Sequence, residues 1–278
     1  MKFLAGIVLF NPEINRLKKN VDSIINQVSE LILIDNGSSN LSEIDLLLHQ
    51  YRNVKLINNN ENLGIARGLN QIMEIAESNG FEWCLLLDQD SVSPKDIISK
   101  FEEFINNTND NRQIGIVSPY IVDINQVQTQ IPGIPFQIVD DVITSGSLNS
   151  VNVWRKIGKF DEQMFIDGVD HEYCFRLGKA GYKIYQLNDI ILMHEIGKRI
   201  TRRLFFWKIE SLNHSAFRKY YIARNIIYFD KKHFGKVSYL TYLRLIKQTL
   251  LVLAIENNKK IKIISLIKGI REGINIRI

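Results

Sequence analysis

At 278 residues, with 45% hydrophobic and 23% charged residues, the chain is long enough to bury a full α/β core and too apolar for a disordered protein. Its two cysteines, Cys84 and Cys174, exclude a disulfide framework or a cysteine-rich metal site. The net charge of +5 conceals an asymmetry: residues 1–197 hold 16 Lys/Arg against 26 Asp/Glu, and residues 198–278 hold 19 against 4, so a basic tail suited to an anionic partner follows an acidic body.

Phe3–Leu9 is a continuous apolar run, the pattern of a strand buried on both faces. Met1–Phe10 is too short to span a membrane and lacks a basic leader, so a first strand is expected there rather than a signal peptide. Leu17, Val21, Ile24, Ile25 and Val28 recur at helical spacing. Leu31–Ile34 reads as a second strand ending at Asp35-Asn36-Gly37, Ile44–Tyr51 as a short helix and Val54–Ile57 as a third strand. A helix over Ile65–Ser78 follows Asn62-Leu63-Gly64. Trp83–Leu87 is a fourth strand, stopping at Asp88-Gln89-Asp90. Ser93 and Pro94 are expected as N-cap and first residue of a helix reaching Ile105, and Ile114–Val117 is a fifth strand.

Beyond Ser118 the pattern becomes loop-rich, with Pro119, Pro132, Gly133 and Pro135 before Ser145-Gly146-Ser147. Helices are expected over Val151–Ile157 and about Asp170–Ala180, strands over Tyr182–Tyr185 and Ile190–Met193, and helices from about Ser211 onward. Strands alternating with helices predict an α/β fold with a mostly parallel, Rossmann-like sheet, and such sheets bind ligands beyond their strand carboxyl ends. Phe10-Asn11, Asp35-Asn36, Asn58–Asn62 and Asp88–Asp90 all fall at such ends.

Asp88 and Asp90 stand two residues apart and so share a face at a strand end. Paired carboxylates there suit a hard divalent cation, Mg²⁺ or Mn²⁺, that keeps positions open for phosphate oxygens. Read alone, Asp-x-Asp is equally a solvated turn; the apolar run before it and the polar clusters on neighbouring strands favour a site. His194, at the end of the Ile190–Met193 run, is a further candidate ligand, against the plain reading of a structural histidine.

In the order in which they occur, the segments GIVLFNP, LILIDNGSS, NNNENLGIARGLN, WCLLLDQDSV, SGSLNS, IGKFDEQMFIDGVDHEYCFRLGKAGYKIY, ILMHEIG and YYIARN resemble those of family-2 glycosyltransferases of the GT-A fold, and within them the bacterial rhamnosyltransferase-like group. The resemblance spans about residues 3–230. It implies a GT-A catalytic domain over 1–210, with a nucleotide-binding half to about 117 and an acceptor half beyond, followed by a basic helical extension over 211–278. It further implies an inverting, metal-dependent transfer of a sugar from a nucleotide-diphosphate donor, with dTDP-β-L-rhamnose favoured over another UDP or dTDP sugar. The implied acceptor is a saccharide, carried on a polyprenyl diphosphate, in surface polysaccharide synthesis.

Carried onto this chain, the resemblance places Phe10, Asn11, Asp35, Asn36, Asn62, Gly64, Arg67, Asp88, Gln89, Asp90, Ser145, Gly146, Arg199 and Arg224 on the donor side. Asp88, Asp90 and His194 are the metal ligands. The general base is expected at Asp170, with Glu172 as fallback and Asp167 less favoured. Family members carry Glu-Asp where this chain has Val169-Asp170, so one carboxylate of that pair is absent. A carboxylate so placed can take the proton of an attacking hydroxyl; the competing reading makes Asp170 the N-cap of its helix.

In the basic tail, Tyr239, Leu240, Leu243, Ile246, Leu250 and Leu253, and then Ile263, Ile264, Ile267, Ile270 and Ile274, recur at helical spacing among Arg and Lys. Basic amphipathic helices suit an anionic membrane surface; packing on the catalytic core is the alternative. A cytoplasmic protein, peripheral at the inner face of the membrane, is expected, with a homodimer allowed and no nucleic-acid partner. Two rival functions remain at this point: a haloacid-dehalogenase-type phosphatase using Asp88-Gln89-Asp90, and a non-catalytic module binding nucleotide sugars or membranes.

Overall fold

In the computed structural model, which describes residues 1–278 apart from 109–110, 124–130, 195–198 and 205–206, with the backbone alone at 111, 204 and 207, the run Phe3–Leu9 forms strand β1 with every residue buried. The chain divides into two units, Met1–Phe165 with Val169–His194, and Ile166–Gly168 with Glu195–Ile278.

The first unit opens with strict alternation. After β1 come α1 (Ile14–Ile24), β2 (Glu30–Asp35), α2 (Leu41–Leu48), β3 (Val54–Asn58), α3 (Ile65–Ser78), β4 (Trp83–Leu87) and α4 (Ile97–Asn107). Helices α1, α3 and α4 bury the residues their spacing marks as apolar: Leu17, Val21 and Ile24; Leu69, Ile72 and Met73; Ile98, Phe101 and Ile105. The rest of this unit supplies β5 (Ile114–Asp123), β6 (Phe136–Val139), β7 (Ser147–Ser150), α5 (Val151–Ile157), α6 (Val169–Lys179) and β8 (Lys183–His194).

Eight strands form one sheet in the order β3-β2-β1-β4-β7-β5-β8-β6, parallel except for β6 and β7. The expected mostly parallel α/β sheet is therefore present. Because β1 pairs with β2 on one side and β4 on the other, the strand order reverses between β1 and β4, the point beyond whose carboxyl ends open α/β sheets bind their ligands. Strand β7 runs antiparallel between β4 and β5, so its start lies beside the end of β4.

Two details here depart from the predicted elements. Ser93 and Pro94 do not open α4: Pro94 accepts a turn bond from Ile97 N at 3.4 Å, and Ser93 N donates to Ser23 Oγ at 3.0 Å, which ties this loop to α1. The two strands expected between 182 and 193 are one, interrupted where its pairing with β5 jumps from Leu187 to Ile191. There Asn188 turns aside to bond the carbonyls of Ile134 and Pro135, so a bulge had divided the apolar pattern in two.

The second unit holds a hairpin, β9 (Ile200–Leu204) and β10 (Trp207–Ser211), that periodicity did not reveal, and the expected helices α7 (Ala216–Phe234), α8 (Tyr239–Ala254) and α9 (Lys259–Asn275). Its core is Ala223, Ile227, Leu245, Val252 and Leu266. Helix α9 reaches α7 through Gly269 and Gly273, where a Cβ would stand 2.2 Å from the Tyr220 carbonyl oxygen and 2.8 Å from that of Arg224.

Candidate active site

Beyond β1 and β4 the backbone is held by side chains. Gln89 accepts from Phe10 N at 2.9 Å and donates to Phe10 O at 3.4 Å, clipping the two strand ends together. Asn20, buried on α1, donates to Asp88 O at 2.7 Å. Ser145, just ahead of β7, accepts from Asp88 N at 3.4 Å and meets Ser91 Oγ at 2.5 Å. Asn11 adopts φ 48° and accepts from the backbone and hydroxyl of Ser39, joining the β1 and β2 loops. With Gln89 engaged by Phe10, Asp88 and Asp90 are left to share the opposite face.

Strand β8 is long enough to bring His194 to this edge. Its Nε2 lies 3.7 Å from Asp88 Oδ2, and one ligand atom from each of Asp88, Asp90 and His194 falls within 4.8 Å of the others. Two ligands on one ion at ~2.2 Å each stand up to ~4.4 Å apart, so modest side-chain rotation closes the set. Two carboxylates and an imidazole make a donor set that fits Mg²⁺ or Mn²⁺, the imidazole favouring the latter. Arg16, which the sequence did not single out, lies with Nη1 3.6 Å from Asp90 Oδ2.

Asp35 is fully buried at the end of β2. Its Oδ2 accepts from Gly37 N at 3.0 Å and Ser38 N at 2.9 Å, whereas its Oδ1 has no hydrogen-bond partner. A buried carboxylate oxygen left in this state calls for a donor from a ligand or water. Its neighbours on the same side make contacts within the fold. Asn36 donates to Gly64 O at 3.0 Å, and Asn62 accepts from Gly64 N at 3.0 Å. The close approach that Gly64 permits is to protein: at φ 85°, its Cβ position would lie 2.6 Å from the Phe165 carbonyl oxygen, which accepts from Ile65 N at 2.7 Å. Arg67 faces Glu162 at 3.3 Å and Glu74 at 3.5 Å. Gly146, at φ 79°, donates from its N to Leu86 O at 2.8 Å, so the Ser145-Gly146 turn expected to touch sugar buttresses β4.

Asp170 is the second residue of α6, so it does not act as the N-cap. Its Oδ1 accepts from His171 N at 2.9 Å. Burial pushes its carboxyl above the ordinary range, and the nearby Asp141 carboxylate adds to the rise. Asp141 holds His171 Nδ1 at 2.9 Å. Glu172, the fallback base, is fully buried, and both its oxygens accept from Arg176, at 2.8 to 3.0 Å. That guanidinium also donates to the carbonyls of Ile157, Gly158 and Lys159, so Glu172 anchors the turn after α5. Asn70, last residue of the NNNENLGIARGLN segment, fastens the following stretch to α3 by bonding both N and O of Phe160, at 2.9 Å each.

In the second unit Arg199 pairs with Glu210 at 2.8 Å across the β9–β10 hairpin. Arg224 is 7% exposed, donating to Glu272 at 3.0 Å and Asn225 at 2.8 Å. Each of these arginines, expected on the donor side, is paired with a neighbouring carboxylate of this unit. Asn225 donates to Ile166 O and Asp167 O, and Arg218 pairs with the Asp167 carboxylate, so α7 sets the turn that precedes α6 in the chain. Glu195, Ile196 and Gly197 of the ILMHEIG segment lie outside the described residues.

The chain is similar to known proteins in sequence and in fold. The sequence profile described as glycosyl transferase family 2 matches residues 6–170, an interval holding Asp35, Asp88, Asp90 and Asp170. The chain is 28% identical to a dTDP-rhamnosyl transferase, RfbF, of Shigella flexneri, over 96% of this chain and 95% of that protein. Among solved structures it is similar to residues 1–349 of TarS from S. aureus, at TM-score 0.55 and 13% identity, over 99% of this chain and 72% of that one. It is also similar to GalNAc-T7 with UDP, GalNAc and Mn²⁺, at TM-score 0.58 and 13% identity, over 99% of this chain and 56% of that one. At such identities the two structures speak to the fold, which is GT-A.

Proposed function

Because the chain belongs to glycosyl transferase family 2, we propose that it moves L-rhamnose from dTDP-β-L-rhamnose to a saccharide hydroxyl, inverting the anomeric carbon and using a divalent cation. Glycosyl transfer is the chemistry of the family, and membership displaces the phosphatase reading. The observation that carries the finer reading is the convergence of Asp88, Asp90 and His194 beyond the sheet's carboxyl edge. The S. flexneri relative, a dTDP-rhamnosyl transferase, supports the donor. The Mn²⁺ in the GalNAc-T7 structure supports the cation. A polyprenyl-diphosphate-linked acceptor rests on the family resemblance alone.

The residues divide the work as follows. Asp35 offers its unpartnered oxygen to a hydrogen-bond donor on the nucleoside, an imide N–H or a ribose hydroxyl. Asp88, Asp90 and His194 would hold Mg²⁺ or Mn²⁺, which when bound supplies positive charge for the departing diphosphate. Asp170 takes the proton of the acceptor hydroxyl as its oxygen bonds to the anomeric carbon. The bond from that carbon to the diphosphate oxygen breaks in the same displacement, and dTDP leaves with the electron pair. One displacement without an enzyme nucleophile inverts the centre.

The test is a thermal-shift screen of the purified chain with dTDP-β-L-rhamnose, UDP-glucose and UDP-N-acetylglucosamine, each with Mn²⁺, Mg²⁺ or EDTA, followed by release of nucleoside diphosphate on adding saccharide acceptors. Cation-dependent stabilisation by the rhamnose donor is expected, at about 2.7 kcal/mol for donor at one hundred times its Kd. A larger shift with a UDP sugar would replace the donor, and equal shifts in EDTA would remove the cation.

A further inference from the structure

Helix α8 has two apolar faces and uses one. Inward it buries Thr241, Leu245 and Val252. On the other side stand Tyr239, Tyr242, Leu243, Ile246, Leu250 and Leu253, between 42% and 74% exposed. At ~100° per residue these six fall within an arc of ~100° opposite the buried stripe. Scattered exposed apolar residues need no explanation; a contiguous helical face of them marks a contact surface.

The charges beside that face identify what covers it. Helix α8 contains Arg244 and Lys247, both exposed, and no acidic residue. On α9 the exposed Ile264 and Ile267 are interleaved with the exposed Lys268 and Arg271. A second copy docked about a two-fold axis would set these basic surfaces against each other, and juxtaposed like charges oppose association. An anionic lipid surface accepts both components, acyl chains against the apolar face and phosphates against Arg244 and Lys247. The two tyrosines suit headgroup depth, their rings being apolar with a polar tip. Crossing the bilayer is another matter: the 16 residues of α8 rise only ~24 Å against a hydrocarbon core of ~30 Å. No helix among the described residues is long and apolar enough to span.

We infer that the outer face of α8 is a docking surface for an anionic bilayer, with the helix lying in the interface plane. The inference goes beyond the transfer reaction and does not depend on it.

Vesicle flotation of the full chain tests it, with vesicles of phosphatidylcholine alone and of phosphatidylcholine with phosphatidylglycerol. The chain is expected to float with the anionic vesicles and to be released by high salt. Ile246→Glu with Leu250→Glu, folded by circular dichroism, is expected to lower partitioning by at least about tenfold, and Arg244→Glu with Lys247→Glu to remove the preference for anionic lipid. Release of nucleoside diphosphate with a water-soluble acceptor is expected to stay unchanged in these variants, which separates this surface from the transfer site. Failure of the unaltered chain to float with anionic vesicles would overturn the proposal, as would unchanged flotation of the Ile246→Glu, Leu250→Glu variant. A dimer in sedimentation that Ile246→Glu dissociates, without vesicle binding, would give the face to a second copy instead.

Discussion

Two carboxylates at the tip of β4 and one imidazole at the end of β8 differ in how much each contributes to a cation. Asp88 stands 3.7 Å from the histidine, and the side chains of Asp88 and Asp90 are similarly exposed, at 39% and 35%. Asp90→Asn is expected to cut kcat/KM by about 10²-fold or more, and His194→Ala to weaken Mn²⁺ binding by about 10-fold, read from rates and calorimetry across a Mn²⁺ titration. Asp170 is different, since burial raises its carboxyl. Between the ordinary carboxylate range and that raised value, the folded protein keeps a proton the unfolded chain has lost, so stability falls as pH rises through the window. Asp170→Asn should therefore lower kcat by about 10²- to 10⁴-fold while raising the melting temperature at neutral pH. The gain should vanish in acid, where both states are protonated. A melting temperature at pH 7 at or below that of the unaltered protein would contradict the buried carboxylate. At this scale Asp88, Asp90 and Asp170 could be picked out from the sequence because strand ends and a helix start are local features. The complete burial of Glu172 and its pairing with Arg176 could not be read there, because both appear only once α6 has packed.

Among the elements, α3 and the loop leading into it show that a motif legible in the sequence also ties the fold together. The NNNENLGIARGLN segment looks like a ligand loop, and within the fold Asn36 and Asn62 each bond to the Gly64 backbone and Gly64 meets Phe165. Such a loop aligns the crevice by holding α3 against the stretch ahead of α6. Gly64→Ala is strained twice, by its φ of 85° and by the 2.6 Å approach to the Phe165 carbonyl oxygen. It is expected to cost about 1–3 kcal/mol in urea unfolding. It should also raise KM for the donor more than it lowers kcat, since it displaces a support and no reacting group. A variant as stable as the parent would mean the loop relaxes freely. Strands β1 to β4 and helix α3 were legible because continuous apolar runs and 3.6-residue spacing are local patterns. The four-residue strands β6 and β7 were not, because their pairing to β8 and to β4 and β5 is with distant chain.

Taken whole, the molecule carries its charge asymmetry into its construction. The basic second unit buries a glutamate with two lysines: Glu256 accepts from Lys219 and Lys262 at 2.8 Å each and from Ser211 at 2.5 Å. Burial acts to raise the Glu256 carboxyl, and the hydrogen bonds from Lys219, Lys262 and Ser211 outweigh it, holding it below its usual range. Glu256→Gln leaves two buried ammonium groups without their counter-charge and is expected to cost about 3–5 kcal/mol, measured by chemical denaturation. Replacing all three by Leu or Met should recover most of that loss, because the desolvation penalty goes with the charges. A small loss from Glu256→Gln alone would show that water reaches the cluster. The sequence by itself determined the alternating α/β order, the acidic strand tips and the membership they share with family-2 enzymes, all properties written in short stretches of chain. Only the tertiary structure decided that His194 meets Asp88 across two intervening strands, that Arg199 and Arg224 are held by Glu210 and Glu272, and that α8 keeps one apolar face uncovered. Those outcomes depend on which distant segments pack together, and packing sets both a side chain's partners and its access to solvent.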